Sequence, residues 1–168
     1  MKPIRIAAGL IAAVAGVLAL ATPAAADQPL VFGPFSYHAE YSFWNCGFEV
    51  RVSLDGTFEN RIFENPLRNI NYIREDGTAT NPLTGASLLV RHMYTELGRP
   101  PESPDEGFGV FTDRGLKTRV VAPGGGVVLI DAGTLEWRYP DGFVFSAHGN
   151  HQLEIEGDLS EVCAALAA

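Results

Sequence analysis

Apolar and polar positions alternate along most of this chain, and the alternation has period two. Phe35, Tyr37, Ala39, Tyr41 and Phe43 fall on one side of a segment whose other side carries Ser36, His38, Glu40 and Ser42. That pattern predicts a half-buried strand. A second strand opens at Cys46, with Cys46, Phe48, Val50, Val52 and Leu54 inward and Glu49, Arg51, Ser53 and Asp55 outward. Asp55-Gly56 reads as a turn. Residues 57–64 continue as a strand of unsettled facing, because Phe58, Ile62 and Phe63 do not share one parity. Residues 70–75 form a short strand that ends at Asp76-Gly77, and 78–81 and 87–97 are the arms of a hairpin around Pro82-Leu83-Thr84-Gly85. The stretch 98–107, with three prolines, is the clearest loop. Residues 108–112 and 116–122 flank a turn at Asp113-Arg114-Gly115. The glycines at 124–126 lead into Val127-Val128-Leu129-Ile130, a strand and not a helix, so they do not form a phosphate cradle.

The last hairpin, 127–157, carries the most chemistry. Its second arm divides cleanly: Phe143, Phe145, Ala147, Gly149, His151, Leu153 and Ile155 inward, against Val144, Ser146, His148, Asn150, Gln152, Glu154 and Glu156 outward. Pro140-Asp141-Gly142 suits a three-residue hairpin loop. Tyr139 then faces Phe143, Trp137 faces Phe145, Leu135 faces Ala147, Gly133 faces Gly149 and Asp131 faces His151. An inward imidazole beside a carboxylate is a candidate acid–base pair, and equally a pair of buried polar groups that satisfy each other. The apolar set Val128, Ile130 and Ala132 competes for the inward face, and a bulge at Gly133 turns Asp131 outward. His148 and His151 lie three apart in a strand, on opposite faces, so they are not a metal pair. His92 shares a parity with Leu88, Val90 and Tyr94 and faces inward as a core histidine.

Asp158 followed by Glu161 resembles a capping box before an apolar end at 162–168, which predicts a short terminal helix. About eight turn-linked strands and one helix predict an all-β domain, a single antiparallel up-and-down barrel, with a β-sandwich as the alternative. Cysteines as far apart as Cys46 and Cys163 argue against an immunoglobulin-type sandwich.

The N-terminus changes the picture of the compartment. Lys2 and Arg5, an apolar run over 6–20 and Ala24-Ala25-Ala26 have the layout of a secretory signal peptide spanning 1–26, cleaved before Asp27. Residues 27–168 then form one secreted, extracellular domain. Cys46 and Cys163 are the two cysteines of the chain, and in an oxidising compartment they pair as a disulfide worth about 4–5 kcal/mol at most in the chain-entropy model. The formal net charge of −8, with scattered acidic residues, excludes a nucleic-acid binder. No metal set and no cofactor motif is present, and no second stretch is long and apolar enough to span a membrane.

The signal peptide, Cys46-Gly47-Phe48-Glu49-Val50, the 78–87 hairpin with Asn81 and Thr84-Gly85, and the ending Glu161-Val162-Cys163-Ala164-Ala165-Leu166 together resemble a group of small exported actinobacterial proteins of unknown function. The resemblance implies a disulfide-closed β-barrel-like domain and no activity. A likeness to lipocalin-type or allene-oxide-cyclase-like barrels holds at the level of architecture alone.

The functional expectation is a binding module for a small, partly apolar ligand, lined by Trp137, Tyr139, Phe143, Phe145 and His92. One alternative is an isomerase-, cyclase- or hydrolase-like enzyme using His151 with Asp131. Another is a cell-envelope interaction protein that uses its strand edges or the 99–106 loop.

Overall fold

A computed structural model of the chain describes residues 28–64, 67–100, 109–138 and 142–168. Seven strands follow one another: β1 (Leu30–Phe43), β2 (Val50–Glu64), β3 (Leu67–Thr80), β4 (Ser87–Arg99), β5 (Val110–Val121), β6 (Val127–Arg138) and β7 (Phe143–His151). One helix, α1 (Ser160–Ala167), ends the chain. Each strand pairs antiparallel with the next, in the order β1 to β7. The fold is all-β as expected, but the barrel does not close. No ladder joins β1 to β7 among the described residues, and the sheet keeps two free edges. The expected signal peptide and most of the proline-rich loop lie outside the described residues.

Among the described residues seven strands replace about eight because three turn signals are not turns. Asp55-Gly56 and Asp76-Gly77 both lie inside long strands and pair with each other's neighbourhood: Asp55 with Asp76, Gly56 with Glu75, Leu54 with Gly77. Likewise Asp113-Arg114-Gly115 runs straight through β5. These glycines remove bulk from one face; they do not reverse the chain. A Cβ on Gly56 would stand 2.6 Å from Cζ of Tyr37, and one on Gly77 would stand 1.9 Å from the carbonyl oxygen of Ser53. Gly98, Gly115, Gly133 and Gly149 occupy the same face in the following strands. Glycine at such points lets a strand bend sharply, and this glycine-lined face is the concave one, the side on which α1 packs.

The register divides the concave face into two layers. At one end, Val50, Val52, Leu54, Ala79, Leu88, Val90, Val120 and Leu129 form the apolar core. Helix α1 lays Val162 and Leu166 over them. The expected capping box is half realised: Asp158 Oδ1 accepts the Ser160 N–H at 2.8 Å, and no side chain caps at Leu159. The far end of α1 is held instead. Asn81 Nδ2 and Thr84 Oγ1 donate to the Leu166 carbonyl at 3.0 and 3.2 Å, which satisfies an otherwise orphaned helix carbonyl. Cys46 does not open β2 but sits in the turn before it, and its disulfide to Cys163 ties that turn to α1, Cα to Cα 5.1 Å. The other end of the concave face is polar, and among the described residues no helix lies over it.

Candidate ligand site on the concave face

Cross-strand pairing assembles the polar layer from residues far apart in sequence. One rung runs Tyr37, Gly56, Glu75, His92. The next but one runs Phe32, Asn60, Asn71, Glu96, Asp113, Leu135. The rung at the open end runs Leu30, Ile62, Asn69, Gly98, Phe111, Trp137. Between Leu116 and Thr118 the β5–β6 register shifts, and Lys117, the extra residue, reaches back on the concave side to Asp113. A bulge re-aims a side chain in this way.

Hydrogen bonds link these side chains into three short groups. Asn60 Nδ2 donates to Asn71 Oδ1, and Asn71 Nδ2 donates to Glu96 Oε1 at 2.7 Å. Asp113 Oδ2 accepts from Lys117 Nζ at 2.6 Å and from Trp137 Nε1 at 3.1 Å. The Lys117 ammonium also lies 4.0 Å from the centre of the Tyr94 ring, a favourable cation–π distance. Tyr37 donates its hydroxyl proton to Glu75 Oε1 at 2.6 Å, and His92 Nδ1 stands 3.9 Å from the other Glu75 oxygen. Trp137 stacks on Phe111 with ring centroids 4.7 Å apart.

Burial governs the protonation of this layer. It pushes the Glu96 carboxyl up, with the Asp113 charge adding to the effect and the Asn71 bond opposing it. It also raises the Tyr94 phenol, helped by Asp113, Glu96 and Glu75, and raises Tyr37, helped by its bond to Glu75. His92 is pushed down by burial first, against the pull of Glu75. All four shifts favour the neutral form, as desolvation requires. Two atoms in the layer are buried without a hydrogen-bond partner: His92 Nε2 and Asp113 Oδ1. Buried polar atoms are normally paired.

A pocket of about 350 Å³ opens at the end of the concave face away from α1. Its lining includes Ile62, Leu67 and Phe111 on the apolar side and Asn60, Asn69 and Arg99 on the polar side.

Asp131 and His151 face each other across β6 and β7, and Gly133 faces Gly149, in the expected register. Asp131 is 0 % exposed. Its Oδ1 lies 3.0 Å from His151 Nδ1, and its Oδ2 accepts the Leu153 and Glu154 N–H groups at 3.1 and 2.8 Å. His151 Nε2 lies 3.2 Å from the His148 carbonyl. Every polar atom of the pair is engaged. The carboxylate organises the turn that ends β7, so 152–157 leaves the sheet and does not extend it. Gly133 and Gly149 have φ of +146° and +124°, a region that side-chain-bearing residues rarely enter. A Cβ on Gly133 would stand 2.9 Å from His151 Nε2 and 2.1 Å from the His148 carbonyl oxygen.

Nearer the turn the expected pairing slips. The register shifts after Glu136, so that Trp137 faces Val144 and Arg138 faces Phe143. Phe145 becomes the extra residue of a bulge. Phe143 and Phe145 are 59 % and 50 % exposed and do not line an interior; Phe143 instead lies against the Arg138 guanidinium. Trp137 and His92 do face the concave side. Tyr139 lies outside the described residues.

The polar row itself went unread in the sequence. Glu96 continues the parity of Leu88, Val90, His92 and Tyr94, so strict alternation would have placed it inward. Asp113 was hidden by its resemblance to a turn residue, and Glu75 by its place beside Asp76-Gly77. Among the described residues no cluster of three or more His, Cys, Asp or Glu is arranged to hold a metal ion. Comparison with protein-family models, with curated proteins and with solved structures finds no match.

Proposed function

We propose that the chain is a binding module for a small, partly apolar ligand, taken up at the open end of the concave face. The observation that carries this reading is the pocket of about 350 Å³ set between Phe111 and Ile62 on one side and Asn60 and Asn69 on the other. Its size and its mixture of apolar wall with a few amides suit a small molecule. The pocket adjoins the Asn60–Asn71–Glu96 row, so polar groups of the ligand can be read at its floor while the Phe111–Trp137 stack packs against its body. The enzyme reading through His151 with Asp131 is less well supported, because neither residue has a hydrogen-bonding atom to spare. Export through the N-terminal segment belongs to the same proposal, since a single disulfide fits an oxidising compartment.

Trp137 reports on the pocket through Phe111. In a Trp44→Phe background, which removes the other tryptophan, titration with the neutral apolar probe N-phenyl-1-naphthylamine gives saturable energy transfer from Trp137. Phe111→Ala weakens it. A linear, unsaturable signal, or one unchanged by Phe111→Ala in a folded variant, overturns the proposal.

A further inference from the structure

The convex face of the sheet has a chemistry of its own. All nine arginines of the described strands project from it: Arg51, Arg61, Arg68, Arg74, Arg91, Arg99, Arg114, Arg119 and Arg138. Five strand carboxylates share that face, namely Glu40, Asp55, Glu59, Asp76 and Glu136. On a chain of net charge −8, this side is locally basic. Most of the arginines have evident company. Arg51 pairs with Glu49, Arg61 with Glu59 and Arg99 with Glu136. Arg68 lies over Phe63.

Arg74 and Arg114, which have no ion pair among the described residues, are exposed; Arg119 is set apart by being partly buried. It stands directly across the β4–β5 ladder from Arg91, on the same face. Arg91 is neutralised by Asp76. Arg119 has no ion pair among the described residues, and its Nε is buried without a hydrogen-bond partner. An arginine does not escape this by losing its proton, and an unpaired, partly buried charge beside a like charge is costly. The two arginines line a groove of about 520 Å³, together with Asp76, Thr78, Leu89 and Val121. Leu89 is exposed, and so is Ile130, the β6 partner of Arg119.

We infer that this groove is a second binding site, for an organic monoanion with an aliphatic body. Two guanidiniums and one carboxylate leave a single positive charge, which one carboxylate head group balances. The terminal Nη groups of Arg119, which lines the groove, donate to its oxygens, and the planar guanidinium forks match the geometry of a carboxylate. The aliphatic body lies along Leu89, Val121 and Ile130. The site is on the opposite face of the sheet from the pocket at Phe111, so the two stand or fall separately.

The test is an NMR titration of the whole protein with octanoate, followed at the Nε–Hε resonance of Arg119. The expected result is a saturable shift of that resonance and of the Arg91 Nε–Hε resonance in the same groove; read at Arg91, which every variant keeps, Arg119→Gln reduces the affinity about tenfold or more. Arg119→Lys restores part of it. Phe111→Ala leaves octanoate binding unchanged. Octanol is the control for the head group and inorganic phosphate the control for the body, and both bind more weakly than octanoate. Equal binding of octanol or phosphate, or an Arg119 resonance that does not move at saturation of the protein, overturns the inference.

Discussion

Asp131 shows how a residue that looks catalytic in a sequence becomes structural once its partners are counted. It meets one imidazole and two backbone N–H groups, and removing it strands all three in a buried place. Asp131→Asn is expected to lower unfolding free energy by about 1–3 kcal/mol, the scale for leaving a buried hydrogen-bonding group without its partner, measured by urea denaturation. Loss of less than about 0.5 kcal/mol would mean the pair is not what holds the end of β7. His92 gives a pH prediction. Its folded-state pKa is lowered by burial, so the unfolded chain binds the proton more readily. Stability therefore falls as pH drops from about 6.5 toward the depressed folded value. Glu96 acts in the opposite sense: its raised folded value means that ionising it on going to higher pH costs stability, in the window above about 4.5. Denaturation midpoints of the wild type and His92→Gln between pH 7.5 and 5.5 should diverge, with the variant flatter.

At the scale of the element, strand parity was the most legible part of the sequence and turn chemistry the least. The facing of 35–43 and of Val50, Val52 and Leu54 follows directly from alternation, and so does the Asp131–His151 register. What failed were the glycines. Asp-Gly is a strong reversal signal when flanking strands can part, but at 55–56 and 76–77 the neighbours on both sides continue to pair. The same residue type that turns a chain also makes room on a crowded concave face, and local sequence does not distinguish the two. The bulges that bring Lys117 to Asp113 and expel Phe145 from the ladder depend likewise on partner strands. Gly56→Ala should cost about 1–3 kcal/mol through overpacking against Tyr37. In a Tyr37→Ala background that cost should nearly vanish, and a double-mutant cycle by chemical denaturation measures the coupling. Additive effects would place the strain elsewhere.

For the whole molecule, the asymmetry between the two ends of the concave face is the main consequence of the topology. One end is closed by α1 and the Cys46–Cys163 bond, and the other is left to polar side chains. Composition and alternation indicated an all-β domain, but not whether its first and last strands meet, because closure depends on the accumulated bend of every strand between. Replacing both cysteines with serine should lower stability by about 2–4 kcal/mol, read from unfolding curves. It should leave the Arg119 resonance in place, since β4 and β5 are held by their own ladder. A shift there would mean that the clamp at α1 is felt across the sheet.

Each strand pairs with its predecessor, so the sheet can be laid down in the order in which the polypeptide emerges, without waiting for distant partners. The last helix is the one piece that cannot arrive early. Until Val162 and Leu166 are in place, the core around Val50, Leu88 and Leu129 lacks the helix that completes it, and the Cys46 thiol, made long before, has no mate. The period of greatest vulnerability to a foreign thiol or a sticky surface therefore falls between completion of the seventh strand and docking of the final eight helical residues.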